Sequence, residues 1–192
     1  YNFPGKSFLD AFVNAPLVIP PVALGYILLV LFGRTGLFGR VLEDWLGVSL
    51  VFTWEGASLA SAIVSFPLLV RSIRISVENL DQGLEKAART LGANPIRTFF
   101  TISLPLIWPG MLAGITLAFA RCVGEFGATI TFASNIPGET RTLPLALYTV
   151  IEMPGGESAA LRLMTFSVVL AIIALFLSEF LARRSRKKFR SN

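Results

Sequence analysis

Residues 80–105 read LDQGLEKAARTLGANPIRTFFTISLP and form a short amphipathic segment between two long apolar stretches. The apolar residues recur at i, i+4, i+7, i+8 and i+11, which places them on one helix face: Leu80, Leu84, Ala87, Ala88 and Leu91. Asp81 is suited to cap the start of this helix, and Gly92 with the Asn-Pro dipeptide after it ends the helix. Glu85 and Arg89 are spaced for an i,i+4 ion pair. The pattern predicts a helix over residues 81–92 that docks into a groove of another protein, because its stripe is too weakly apolar for burial in lipid.

The spacing within this segment resembles the EAA signature of ABC-importer permease subunits. Two adjacent alanines are followed by three residues, a glycine, nine residues and then Ile-x-Leu-Pro. The resemblance implies a cytoplasmic coupling helix that fits a cleft on the ATP-hydrolysing subunit. The candidate coupling residues are Leu84, Glu85, Lys86, Ala87, Ala88, Arg89, Leu91, Gly92, Ile102, Leu104 and Pro105. Lys86 departs from the signature, which has glutamate there, and Glu85 stands one residue early. An ordinary surface helix between core helices is the alternative.

The composition is that of a membrane protein. Of the 192 residues 54% are hydrophobic and 15% are charged, against about 25% charged in ordinary globular chains. The chain has no histidine and one cysteine, which excludes a disulfide within the chain and zinc sites of the His/Cys type. These features predict an all-α, polytopic helical membrane protein with the type I ABC importer transmembrane fold that the resemblance implies.

Four spans are predicted within a single permease domain over residues 1–192. Uncharged stretches, extended at the interface by flanking residues, reach the ~20 residues that a bilayer requires. The predicted spans cover about residues 8–32, 56–78, 98–122 and 159–181, and a short extracytoplasmic helix covers about 143–152. The first span contains three prolines and should be kinked. The family resemblance further implies another span before residue 1.

Lysine and arginine set the predicted orientation. Twelve of the 17 cations lie at the two termini and around the coupling segment: Lys6, Arg71, Arg74, Lys86, Arg89, Arg97, Arg183, Arg184, Arg186, Lys187, Lys188 and Arg190. The other five lie in the segments on the opposite side: Arg34, Arg40, Arg121, Arg141 and Arg162. The positive-inside rule therefore places both termini and the coupling helix in the cytoplasm.

Span three carries a ridge of small residues. Gly110, Gly114 and Ala118 recur at four-residue steps, which is typical of a helix-contact face in membranes. Either a contact within the subunit or a seam between two subunits would satisfy this pattern.

A second informative segment is GEFGATITFASNIPGETRTLPLALYT, residues 124–149. Arg121 and Glu125 are one helical turn apart and can neutralise each other at the membrane edge. This segment, like residues 15–39, resembles the molybdate branch of the permease family. The resemblance implies import of molybdate across the bacterial inner membrane, with a second permease subunit in a homodimer and an extracytoplasmic molybdate-binding protein. ATP and Mg²⁺ would bind the partner ATPase, leaving this chain without a cofactor. Permeases for sulfate, thiosulfate or tungstate are the alternatives within the family.

No set of catalytic side chains is visible in the sequence, so we expect no enzymatic activity in this chain. A doubly charged oxyanion needs dipoles that solvate it weakly, because a fixed arginine would hold it. The hypothetical translocation path therefore uses Ser61, Ser65, Thr116, Glu125, Thr129 and Thr131. Back-bonding of these hydroxyls to their own helices is an equal alternative.

Two readings of other classes remain. An ATP-independent secondary anion transporter would usually carry titratable groups inside its spans, which these uncharged stretches argue against. A passive membrane scaffold would not require the spacing between Gly92 and Pro105 that the EAA signature has. The basic tail after residue 181 suits anionic lipid better than nucleic acid.

Overall fold

The computed structural model describes residues 4–190, without the side chains of residues 82, 178, 181–182 and 184–190, so the lipid contact expected of the basic tail lies outside what is described. Every regular element within these residues is helical. The helices are α1 (Lys6–Val18), α2 (Pro21–Phe32), α3 (Leu37–Leu46), α4 (Trp54–Glu78), α5 (Gln82–Thr90), α6 (Pro95–Thr98), α7 (Leu104–Val123), α8 (Gly127–Phe132), α9 (Leu143–Ile151) and α10 (Glu157–Arg190). A π-helical turn, Phe99–Ser103, joins α6 to α7.

Three continuous stretches within the described residues are long and apolar enough to cross a membrane. They are Trp54–Glu78, Pro95–Val123 and Glu157–Leu177. They coincide with the second, third and fourth predicted spans.

The first predicted span differs from expectation. Instead of one kinked helix there are two helices, α1 and α2, with 115° between them, a geometry of a broken span or a re-entrant segment. The break falls at Ile19 and Pro20, both with extended backbone. Pro20 restricts Ile19 to the extended region and Pro21 restricts Pro20 in the same way, so two successive residues leave the helix.

The chain divides into two compact units, and the division falls within α4, α7 and α10. The first unit contains residues 4–67 and 119–171. Its core consists of Leu24 and Leu28 of α2, Ala60 and Val64 of α4, and Ala128 and Phe132 of α8.

Helices α2 and α8 pack closely because glycines face the partner helix. A Cβ at Gly25 would lie 2.6 Å from the carbonyl oxygen of Ala128, and one at Gly127 would lie 2.8 Å from the Cβ of Pro21. Side chains at either position would force the two helices apart. Gly127, the second glycine of the GEFG segment, therefore has a packing role.

The second unit contains residues 68–118 and 172–190. Here the small-residue ridge of α7 contacts α4. Ser72 donates a hydrogen bond of 2.8 Å to the carbonyl of Gly110, and a Cβ at Gly114 would lie 2.8 Å from the Cβ of Ser72. The ridge, at these two glycines, is thus a contact within the subunit.

Three helices among the described residues were not predicted. They are α3 within residues 34–55, the four-residue α6 before the π-helical turn, and α8 in the run after Glu125. The predicted short helix near residues 143–152 corresponds to α9, and the predicted helix over residues 81–92 corresponds to α5 with its flanking caps.

Candidate functional site

Helix α5 is closed at both ends by local hydrogen bonds. The Asp81 carboxylate accepts from the backbone N–H of Gly83 at 2.8 Å. At the other end the N–H of Gly92 bonds to the carbonyl of Arg89, and the N–H of Ala93 bonds to the carbonyl of Ala88. This is the Schellman pattern, which requires a left-handed residue, and Gly92 has φ of 86°. The helix is therefore short and sharply bounded.

The coupling residues predicted on α5 fall into two groups. An exposed group consists of Leu84, Lys86, Ala87, Arg89, Leu91 and Gly92. Leu91 is 88% exposed, and Leu84 is nearly half exposed. A half-buried group consists of Glu85 and Ala88, together with Ile102, Leu104 and Pro105 beyond the helix. Apolar side chains that no described residue covers are available to a partner.

Glu85 has a partner that sequence reasoning missed. Its Oε1 accepts a hydrogen bond of 2.6 Å from the hydroxyl of Ser103. No ion pair between Glu85 and Arg89 is present among the described residues, so that prediction was wrong. A signal was available, since Ser103 is a lone hydroxyl among apolar residues in the Ile-x-Leu-Pro run.

The turn that carries Ser103 is π-helical. The N–H of Leu104 reaches back to the carbonyl of Phe99, and Ser103 is only 5% exposed. Pro105 lies two residues after Ser103. In a regular α-helix its ring would clash with the carbonyl four residues earlier, which the wider turn avoids. Helix α6 before the turn starts at the Asn94 side chain, which accepts from the N–H of Arg97 at 2.7 Å.

The predicted pairing of Arg121 with Glu125 is present. Arg121 Nη1 lies 2.7 Å from Glu125 Oε2, and the side chain of Glu125 is 1% exposed while that of Arg121 is 34% exposed. The other carboxylate oxygen accepts from the N–H of Ala128 at 2.8 Å. Glu125 thus satisfies a free donor in the first turn of α8 and joins α7 to that helix.

The hydroxyls of the hypothetical path all donate to backbone carbonyls of their own segments. Ser61 bonds to Ala57, Ser65 to Ala62, Thr116 to Leu112, Thr129 to Glu125 and Phe126, and Thr131 to Gly127. Ser65 Oγ also lies 3.0 Å from the Sγ of Cys122. Each of these hydroxyls therefore has a hydrogen-bond acceptor within its own segment.

Of this set, Ser61 lines a cavity of about 400 Å³ in the first unit. Cys122, Arg141 and Thr142 line the same cavity. Arg141 is held by a hydrogen bond from its Nε to Asn135 at 2.8 Å. The lining also includes the Glu139 carboxylate and the apolar side chains of Trp54 and Val123, so the Arg141 charge is offset within the cavity.

Comparison with known proteins gives consistent matches over nearly the whole chain. The family model for "Binding-protein-dependent transport system inner membrane component" matches residues 1–187. A molybdenum transport system permease protein of Escherichia coli is 59% identical over 187 residues, 97% of this chain and 82% of the relative. A putative molybdenum transport permease of Bacillus subtilis is 39% identical over 91% of this chain and 77% of the relative. A sulfate transport system permease of Synechococcus elongatus is 37% identical over 96% of this chain and 65% of the relative.

Proposed function

Because the chain belongs to the family of binding-protein-dependent transport system inner membrane components, we propose that it is the permease subunit of an ABC importer that moves molybdate across the bacterial inner membrane. ATP would be hydrolysed, with Mg²⁺, on a partner ATPase rather than on this chain. An extracytoplasmic molybdate-binding protein would deliver the oxyanion, and a second copy of the chain would complete the pathway.

One observation carries the coupling proposal. Helix α5 is capped at both ends, and it leaves Leu84, Ala87 and Leu91 exposed. Exposed apolar side chains on a short rigid helix outside the spans are the features expected of a helix that docks into a groove. The groove would belong to the ATPase, and its movement on ATP binding would be transmitted through α5.

The choice of molybdate rests on similarity. The Escherichia coli molybdenum permease is 59% identical to this chain, and the Synechococcus sulfate permease is 37% identical. Tungstate, sulfate and thiosulfate are the competing substrates, since each is an oxyanion of similar charge and shape.

The translocation path is proposed to follow the hydroxyl-bearing faces of α4, α7 and α8. Ser61 would solvate the anion through its hydroxyl, beside a cavity that Arg141, Thr142 and Glu139 also line. The other proposed members, Ser65, Thr116, Thr129 and Thr131, would assist through their oxygen dipoles. Glu125 would contribute by holding α8 in place, because a buried carboxylate would repel the anion.

Uptake of radiolabelled molybdate tests the function directly. In cells lacking their own molybdate permease, the chain with its cognate ATPase and binding protein should restore uptake. Unlabelled molybdate should compete better than sulfate. Uptake of labelled sulfate with no uptake of molybdate would contradict the substrate assignment, and molybdate uptake without the ATPase would contradict the class of transporter.

The same assay tests the path. Thr129→Val and Thr131→Val keep the side-chain shape and remove the hydroxyl dipole, so uptake should fall while protein levels stay constant. Normal uptake in both variants would mean that their hydroxyls serve only their own helices. Thr165→Val is the matched control, because the Thr165 hydroxyl is exposed and bonds to Leu161 of its own helix.

A further inference from the structure

The bond between Glu85 and Ser103 joins two parts of the chain that are 18 residues apart. Glu85 lies on α5, and Ser103 is the last residue of the π-helical turn at the base of α7. The 2.6 Å separation falls in the range of about 2.5–2.7 Å that is typical of a hydroxyl donating to an ionised carboxylate. Such a bond has a defined direction, unlike apolar contact.

Among the described side chains of α5, few others can hold the helix against the rest of its own chain. Its large apolar side chains, Leu84 and Leu91, are exposed. Ala88 faces inward but is small, and the connection through Gly92 is left-handed, with open space around that residue. The helix would therefore pivot at Gly92 if the bond to Ser103 were removed.

Ser103 lies in the π-helical turn that directly precedes the membrane-spanning α7, and this position gives its bond to Glu85 a direct connection to the span. A π turn inside a helix is a local irregularity that is found frequently at functional sites. Here it lies between α6 and the membrane-spanning α7, so a displacement of Ser103 acts on the end of α7 directly.

We infer that Glu85 is a positioning residue for coupling: by accepting the Ser103 hydrogen bond it ties α5 to α7, so that movement of α5 is passed to the span. The inference rests on the proposed function, in which α5 receives movement from an ATPase. It also explains the departure from the signature. The acidic residue is turned toward its own chain, and the exposed Lys86 and Arg89 remain for the partner.

The test uses the complete transporter reconstituted in proteoliposomes, with molybdate uptake per ATP hydrolysed as the readout. Ser103→Ala and Glu85→Ala should each lower this ratio by roughly tenfold, the factor expected for losing a hydrogen bond to a charged group. The double variant should be no worse than either single variant, because both remove the same bond. Glu85→Gln should retain most of the coupling, since the amide oxygen still accepts.

Thr101→Ala is the matched control. It removes a hydroxyl from the same turn, but that hydroxyl bonds only to Arg97 of its own helix. The ratio should stay at the wild-type value. Loss of coupling in Glu85→Gln together with normal coupling in Ser103→Ala would overturn the inference, because the charge of Glu85 would then serve the ATPase and not Ser103.

A second measurement does not depend on the substrate. Amide hydrogen exchange in the assembled complex should be faster over α5 and the π turn in Ser103→Ala than in the wild type or in Thr101→Ala. Equal exchange in all three would overturn the inference even if molybdate is transported. Failure of the wild type to transport molybdate, with faster exchange in Ser103→Ala, would count against the proposed function alone.

Discussion

At the scale of single residues, the buried charge of Glu125 is the best defined feature of the first unit. Its two carboxylate oxygens have separate partners, the Arg121 guanidinium and the Ala128 N–H. The pairing was predictable from the i,i+4 spacing, because that spacing is local. The bond to Ala128 was not, because it depends on a second helix starting at Gly127.

Two replacements of Glu125 distinguish its ion pair with Arg121 from its hydrogen bond with the Ala128 N–H. Glu125→Ala should destabilise the protein by about 2–3 kcal/mol. This is somewhat less than the cost of breaking a fully buried ion pair, because the Arg121 side chain is 34% exposed and its charge would not be left fully desolvated. Glu125→Gln should destabilise the protein less than Glu125→Ala, because the amide oxygen can still accept the hydrogen bond from the Ala128 N–H. Thermal unfolding in detergent measures both. An unchanged midpoint for Glu125→Ala would contradict the structural role.

At the scale of helices, small residues decide how closely α4 and α7 approach. A Cβ at Gly110 would collide with the hydroxyl of Ser76, and Ser72 donates to the Gly110 carbonyl. Four-residue steps of small residues predicted a contact face. They could not identify the partner, since Ser72 lies 38 residues from Gly110 and any helix with a matching surface would satisfy the pattern.

This contact predicts a coupled pair of substitutions. Gly110→Ala should destabilise the protein by about 1–3 kcal/mol through overpacking. Adding Ser76→Gly should recover part of that loss, which a double-mutant cycle on the thermal midpoint would measure. Gly124→Ala is the control, because a Cβ there would meet nothing closer than 3.9 Å. Additive effects of the two substitutions would contradict a direct contact.

At the scale of the whole molecule, the distribution of cations along the sequence predicts that α5 and α9 lie on opposite sides of the membrane. Twelve cations lie on the side that carries α5 and the termini and five lie on the other side, so the positive-inside rule predicts that the α5 side is cytoplasmic. The apolar helices α4, α7 and α10 supply three crossings, and the bent pair α1 and α2 is the fourth candidate.

Labelling of introduced cysteines tests this orientation. In a Cys122→Ser background, Met153→Cys should react with a membrane-impermeant thiol reagent in intact cells. Leu91→Cys should react only after permeabilisation, and co-expression of the ATPase should protect it, because that side chain is proposed to be covered. Labelling of Leu91→Cys in intact cells would reverse the topology and remove the docking proposal.

Local chemistry explains what the sequence determined by itself: an all-helical membrane protein, the position of α5 and its Asp81 and Gly92 ends, and the pairing of Arg121 with Glu125. The membrane class depends on composition and on apolar stretches of about 20 residues. The helix ends and the ion pair depend on residues within about one or two helical turns, where the geometry of the helix sets the distances. The tertiary structure decided the rest. It alone selected Ser103 as the partner of Glu85, α4 as the partner of the glycine ridge, and a 115° break where a kink was expected. Those outcomes depend on which distant surfaces fit together, and periodicity along the chain does not record that fit.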